Sequence, residues 1–271
     1  MTGRPNATPA APLTARTEPV RPPGGTRPTR AMVLAAGRGE RLRPLTDTVP
    51  KPLVTIADRA LIDHALDRLA ASGVEAAVVN TCWLAEAIET HLAARDRPAI
   101  AISREETALD TGGGVARALD RLGPAPFFVV NADALWLDGP VAMLDRLAAA
   151  WDDAAMDALL LLVSAPLAIG MEGPRAELAD YFADGDGQLH RRRESAVAPY
   201  YFAGVQILHP RLFDGAPAGA FPVNRLWNRA EEAGRLYGLV HDGAWFHVGT
   251  PAALEEVRGL LDPHFVRWVE P

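Results

Sequence analysis

Two glycines one residue apart end a short apolar run and lead into a stretch dense in cations and prolines: AMVLAAGRGERLRPLTDTVPKPLV, residues 31–54. A glycine turn after a strand bares backbone N–H groups, and bare N–H groups beside cations bind phosphate. Gly37-Arg38-Gly39-Glu40-Arg41-Leu42 lacks the third glycine of a dinucleotide-binding turn, and Pro44, Pro50 and Pro52 forbid a long helix directly after it. No Gly-Lys-Ser/Thr follows, so the loop is not of the Walker type. What remains is an extended loop suited to wrapping a triphosphate. Arg41 supplies a planar fork for phosphate oxygens and Lys51 a mobile point charge.

Three further stretches carry residues fit for the same chemistry. Gly112, Gly113 and Gly114 stand at a loop-to-helix junction, where they either let a flat base approach backbone without a Cβ in the way or simply ease helix entry. FFVVNAD ends a buried strand with Asn131 and Asp133; a carboxylate at the C-terminal edge of a strand in an open α/β sheet sits where ligands bind, although a turn or cap aspartate would look the same. Asn80 ends another strand, VVN, and is expected near the nucleotide or the sugar.

The elements that must position these residues alternate in type. Strands are expected at 31–36, 75–80, 99–103 and 126–133, with amphipathic helices at 59–73, 83–95, 113–123 and 141–151 between or after them. This predicts an α/β, three-layer α/β/α domain around a mostly parallel, Rossmann-like sheet. A further strand is expected at 157–165. DYFADGDGQLHRRR then reads as a hairpin with a tight Asp-Gly turn, YYFAGVQILHP as a returning strand, and 223–234 and 251–261 as helices, so the second half is antiparallel in character. The expected boundaries are a tail at 1–30, one domain at 31–262 and a C-terminal tail at 263–271.

Composition narrows the class. The 271 residues are 49% hydrophobic, enough for a sizeable core, yet no apolar run reaches the roughly 18 residues of a membrane span. A net charge of −7 argues against a general nucleic-acid or anionic-membrane binder. Cys82 is the only cysteine, which leaves no intrachain disulfide or cysteine zinc site and suits a reducing cytoplasm. Residues 1–30 carry five arginines and one glutamate, are rich in Pro and Thr, and cannot bury enough surface to order themselves. They are either a floppy tail, with Met32 close to the ordered start, or a segment resembling an organelle transit peptide.

The whole loop string resembles the signature L-A-x-G-x-G-x-R-L-x-P-x-T-x(n)-K-P of the sugar-1-phosphate nucleotidylyltransferases, matched by Leu34, Ala35, Gly37, Gly39, Arg41, Leu42, Pro44, Thr46, Lys51 and Pro52. The likeness spans roughly residues 31–262. LDTGGG is closest to the version in bacterial uridylyltransferases acting on N-acetylmuramate 1-phosphate. The resemblance implies in-line attack by a sugar-phosphate oxygen on the α-phosphorus of an NTP, UTP above all, with pyrophosphate leaving. It implies Ala35, Ala36, Gly37, Gly39, Glu40, Gly112, Gly113 and Asn131 around the nucleotide, Asn80 and Gly204 around the sugar, Arg41 on the leaving pyrophosphate and Lys51 on the phosphates nearer the α-phosphorus. It also implies Mg2+ on Asp133, which suits a hard cation that keeps water and phosphate ligands.

Two departures from the pattern matter. AWFHVGTPAALEEV resembles W-x-D-x-G-T-x-x-x-L, but His247 stands where the family has its second metal-binding aspartate. MEGPRAELADYFADGDG lacks the clean Gly-Asp-Phe string of the nearest uridylyltransferases, which leaves the sugar open. The alternatives are another NTP (dTTP, GTP or CTP) with another acceptor, or a non-catalytic binder of nucleotide sugars. The partners are small molecules on every reading, and the sequence sets no oligomeric state.

Overall fold

A computed structural model describes residues 27–171, 178–194 and 196–261. Most of the expected N-terminal tail, the expected C-terminal tail and part of the MEGPRAEL stretch lie outside them. The described chain reaches back past the expected boundary at residue 30: Arg27 donates through Nε to Ser72 O at 3.0 Å, and Thr29 O accepts from Glu75 N at 2.8 Å.

In chain order the elements are β1 (Arg30–Leu34), β2 (Thr55–Ile56), β3 (Arg59–Ala60), α1 (Leu61–Ala71), β4 (Ala76–Thr81), α2 (Ala85–Leu92), β5 (Ala99–Arg104), α3 (Asp110–Leu122) and β6 (Phe127–Asn131). There follow β7 (Leu135–Leu137), α4 (Met143–Ala150), β8 (Ala158–Ser164), β9 (Ala168–Ile169), β10 (Tyr181–Ala183), β11 (Leu189–Arg191) and β12 (Tyr200–Leu208). The chain ends in α5 (Asn224–Glu232), β13 (Leu236–Val240), β14 (Ala244–Phe246) and α6 (Pro251–Leu260).

β6, β1, β4 and β5 lie side by side and parallel, and the three crossovers among them are carried by α1, α2 and α3, helices of the expected amphipathic type. β12 then runs antiparallel to both β6 and β8, and β13 joins β8 in parallel, so the change of character in the second half is real. β13 and the small sheet β7-β14-β9 were not expected; their runs are too short, and β13 too Gly-interrupted, to show a period of two. The β10–β11 hairpin closes through a wider loop than an Asp-Gly turn, with Asp184 Oδ1 accepting from the N–H groups of Asp186 and Gln188 at 3.0 and 2.9 Å.

Alternation along the strands builds two cores on opposite faces. Phe128 and Val130 of β6 join Ala31, Val33, Leu159 and Leu161 beneath α1 and α4, while Phe127 and Val129 join Met32, Leu160 and Leu162 beneath α3 and α5. The sheet is therefore buried on both faces, which is why its strands read as continuous apolar runs. Truncating a fully buried phenylalanine such as Phe128 to alanine costs about 3–5 kcal/mol. A third, smaller core joins Leu42 to Val54, Leu61, Phe246, Val248, Leu254 and Val257. It anchors the glycine loop against β14 and α6.

Candidate active site

Parallel register brings the functional strand ends together. Leu34, the last residue of β1, is level with Asn80 on β4 and with Asn131 on β6. The chain leaves β1 between these two asparagines. Asn80 Oδ1 accepts from Ala35 N at 2.8 Å, and Leu34 O accepts from Ala132 N at 3.0 Å, so both neighbours hold the first step of the loop. A cleft of about 320 Å³ opens at this edge.

The loop is built in short turns instead of one helix, as its prolines require. One-turn 3₁₀ helices at Glu40–Leu42, Leu45–Asp47 and Lys51–Leu53 follow each other, and Gly39 starts the first with φ +65°. A Cβ there would be strained and would stand 3.0 Å from the Lys51 Cβ. Thr46 Oγ1 donates to Gly39 O at 2.9 Å and Trp83 Nε1 to Thr46 O at 3.0 Å, while the Arg38 guanidinium lies 4.8 Å from the centre of the Trp83 ring. A Cβ on Gly37 would meet no protein atom within 4 Å. What this glycine spares is space at the cleft, not a clash within the fold.

Of the expected residues, Ala35, Ala36, Gly37, Gly39, Lys51, Asn80, Asn131 and Asp133 line the cleft. Lys51 Nζ donates to Asp133 Oδ2. Desolvation works against the Asp133 charge, but the Lys51 ammonium, its hydrogen bond and the nearby His247 outweigh it and hold the carboxyl below the usual 3.8. Asp133 still keeps 34% of its side-chain surface, enough to meet a ligand.

The other expected residues sit around the cleft and not on its walls. Glu40 and Arg41 are exposed, and Arg41 Nη1 is 3.4 Å from His247 Nε2. His247 stacks on Trp245, ring centres 5.9 Å apart, just past the end of β14. Gly204 takes φ +81° where β12 slips register against β8, and a Cβ there would come within 3.0 Å of Asn131 Nδ2; it backs an asparagine of the cleft. Gly112 and Gly113 lie in the first turn of α3. There a Cβ would fall 2.4 Å from the Phe221 ring and 2.3 Å from Gly219 O respectively. Both N–H groups donate to Phe221 O, at 2.9 and 3.1 Å. Their glycine character is explained by close packing of α3 on residues 219–221.

Sequence reasoning missed Glu105, Ala108, Asp110 and Thr111, which form the opposite wall. Asp110 adopts φ +59° and its own Oδ1 accepts from Thr111 N at 2.6 Å. An acid one residue past a strand end, as Glu105 is past β5, was the available signal; it is the same signal that marked Asp133.

Among the described residues no cluster of three or more His, Cys, Asp and Glu side chains could hold a metal ion. The donor set near Asp133 is one carboxylate, shared with Lys51, and the imidazole of His247. Such a set fits a divalent cation that arrives with phosphate oxygens and water, not one held by protein alone.

Comparison with known proteins agrees with the fold. The family model described as nucleotidyl transferase matches residues 30–166. The chain is 44% identical over 231 residues to the N-acetylmuramate alpha-1-phosphate uridylyltransferase of Caulobacter vibrioides, covering 83% of this chain and 94% of that one. It is 38% identical over 244 residues to the enzyme of the same name from Neisseria meningitidis serogroup B, covering 85% and 97%. Among solved structures, a UDP-glucose pyrophosphorylase complexed with UDP-glucose superposes with a TM-score of 0.70 at 15% identity, over 86% of this chain and 97% of that one, a likeness of fold. The chain belongs to the nucleotidyl transferase family.

Proposed function

We propose that the protein transfers the uridylyl group of UTP to N-acetylmuramate 1-phosphate, forming the UDP-sugar and pyrophosphate. The observation that carries this reading is the 44% identity to a uridylyltransferase over 94% of that relative's length. The cleft supports it with a bare glycine loop, Lys51 and a carboxylate at one strand edge. With such substrates the enzyme works in the cytoplasm.

The chemistry asks little of side chains beyond placement and charge. A sugar-phosphate oxygen, ionised near neutral pH, attacks the α-phosphorus in line; the bond from that phosphorus to the β-phosphate oxygen breaks, and pyrophosphate carries away the electron pair. No general base and no covalent enzyme intermediate are needed, so positioning and charge neutralisation carry the rate. Lys51 holds the phosphates beside the α-phosphorus. Arg41, on the outer lip of the loop, takes the charge that grows on the leaving pyrophosphate. Mg2+ would rest on Asp133 and neutralise phosphate charge. His247 would meet a phosphate or a metal-bound water, because neutral imidazole is a poor Mg2+ ligand.

A pyrophosphate-release assay over UTP, dTTP, GTP and CTP against the 1-phosphates of N-acetylmuramate, N-acetylglucosamine, glucose and mannose tests the reading. UTP with N-acetylmuramate 1-phosphate should have the highest kcat/KM. A preference for GTP or CTP of more than about tenfold, a gap of roughly 1.4 kcal/mol, would remove the uridylyl assignment. The replacement at His247 favours one rival, a non-catalytic binder of nucleotide sugars; binding without turnover for every pair would support it.

A further inference from the structure

Glu105 is a buried carboxylate, 4% exposed, that the transfer chemistry leaves without a task. It stands one residue past β5 on the wall of the cleft facing the glycine loop. Its Oε1 accepts from Asn80 Nδ2 at 2.8 Å and its Oε2 from Leu109 N at 2.9 Å. Asn80 Oδ1 in turn accepts from Ala35 N at 2.8 Å. A continuous run of three hydrogen bonds thus joins the first residue of the phosphate loop to the residue just before Asp110 and Thr111. The third glycine of α3 makes room for it: a Cβ on Gly114 would lie 2.8 Å from Asn80 Nδ2 and 3.0 Å from Glu105 Oε1.

We propose that Glu105 is a positioning residue for the nucleotide, a double acceptor that holds the two walls of the cleft at a fixed spacing through Asn80 and Leu109. The proposal rests on the reading that a nucleoside triphosphate occupies this cleft. Its physical content lies in the direction of the bonds. Ala35 N–H can only donate, which turns the Asn80 amide so that Nδ2 faces Glu105. Leu109 N–H also can only donate. Both oxygens of residue 105 must therefore accept, which a carboxylate does and an amide cannot. Glu105→Gln keeps shape and volume but sets an NH2 group against another donor, on one side or the other. A carboxylate present only to fill the fold would not impose this polarity on the nucleotide cleft.

The same logic supplies a rescue. Asn80→Asp alone places two carboxylates against each other. Combined with Glu105→Gln, the new aspartate accepts from Ala35 N and from the new glutamine amide, whose oxygen accepts from Leu109 N. All three bonds return, the middle one reversed, at unchanged net charge.

The test compares the parent, both single variants and the double variant in three measurements. These are UTP affinity by calorimetry with MgCl2, KM for N-acetylmuramate 1-phosphate, and amide hydrogen exchange at Ala35 and Leu109. Glu105→Gln should weaken UTP binding roughly 10- to 100-fold, the effect of leaving a buried donor unmet, and speed exchange at Leu109 or Ala35. The sugar-phosphate KM should stay within about threefold, and the double variant should recover most of the UTP affinity and of the protection. Three results would overturn the proposal: UTP affinity of Glu105→Gln within about threefold of the parent; equal losses for both substrates in step with Tm; or a double variant no better than the worse single. If the single variants do not fold, recovery of folding and UTP binding by the double variant decides the matter. A parent that binds no nucleoside triphosphate would sink the functional reading instead, while amide exchange at Ala35 and Leu109 would still show whether the latch exists.

Discussion

Lys51 and Asp133 are each other's partner across the cleft, the lysine Nζ donating to Asp133 Oδ2 with 12% and 34% of the two side chains exposed. The cation assigned to the substrate phosphates and the anion assigned to the metal thus neutralise one another before substrate arrives. A phosphate carrying its own cation can exchange both partners at once, so the site never has to leave either charge buried alone.

That exchange makes the two residues act as a unit. Lys51→Ala should lower kcat by roughly 10²- to 10³-fold and raise the UTP KM, and Asp133→Ala should raise the Mg2+ concentration needed for half-maximal rate. The double variant should lose much less than the product of the two single losses. Steady-state kinetics over a Mg2+ series checks this; fully multiplicative losses would mean that the pair is incidental.

Arg41 and His247 meet at 3.4 Å on the outer lip, with Arg41 exposed. Arg41→Ala should reduce kcat by roughly 10²- to 10³-fold with little change in Tm. His247→Asp would give Arg41 a carboxylate partner and place a second carboxylate near Asp133, so it should tighten Mg2+ and keep turnover. Turnover of Arg41→Ala within about threefold of the parent would take that arginine out of the mechanism.

Gly112 separates a packing role from a recognition role. Its Cβ would stand 2.4 Å from the Phe221 ring, so Gly112→Ala should cost about 1–3 kcal/mol of stability, the usual penalty for overpacking. Thermal unfolding with and without UTP reads this directly. An unchanged Tm with a raised UTP KM would instead mean that the position faces the base.

Asp157 offers a pH test away from the cleft. Its Oδ1 accepts from Arg211 Nε at 2.6 Å and Arg235 Nε at 2.9 Å, tying β8 to the segments on either side of α5. Burial works against its charge, but the two arginines outweigh it and hold the carboxyl below 3.8. A depressed folded-state value means the contribution is full above the unfolded pKa of about 3.9 and disappears as pH falls through the folded one. Asp157→Asn should therefore cost roughly 1–2 kcal/mol at pH 7, and the Tm gap from the parent should shrink progressively as pH falls below the unfolded value of about 3.9. A gap that does not shrink at all on acidification below that value would contradict the assignment.

The parallel half of the fold could be read from sequence because its strands are buried on both faces and its helices carry a clear apolar stripe; β1, β4, β6 and α1 fall where periodicity places them. β7, β9 and β14 are two or three residues long and join into a sheet only through tertiary pairing, which leaves no periodic trace. The glycine-loop side of the cleft was visible because Gly37, Gly39 and Lys51 are unusual residues at close spacing. Glu105 carried the same strand-end signal as Asp133 and was passed over, whereas Asp110 was not visible, since an acid at positive φ looks like any loop acid until the backbone is known. Gly112 and Gly113 show the converse: a run that suggests ligand approach is accounted for by Phe221 and Gly219, more than a hundred residues away.

The most direct measurement follows oxygen. N-acetylmuramate 1-phosphate carrying 18O in its non-bridging phosphate oxygens, incubated with UTP, Mg2+ and the enzyme, should place all of the label in the UDP-sugar. One labelled oxygen should then bridge the two phosphorus atoms, and the pyrophosphate should carry none. Label in the pyrophosphate, or UMP and pyrophosphate formed without any UDP-sugar, would contradict attack by the sugar phosphate on the α-phosphorus and with it the transfer reaction itself.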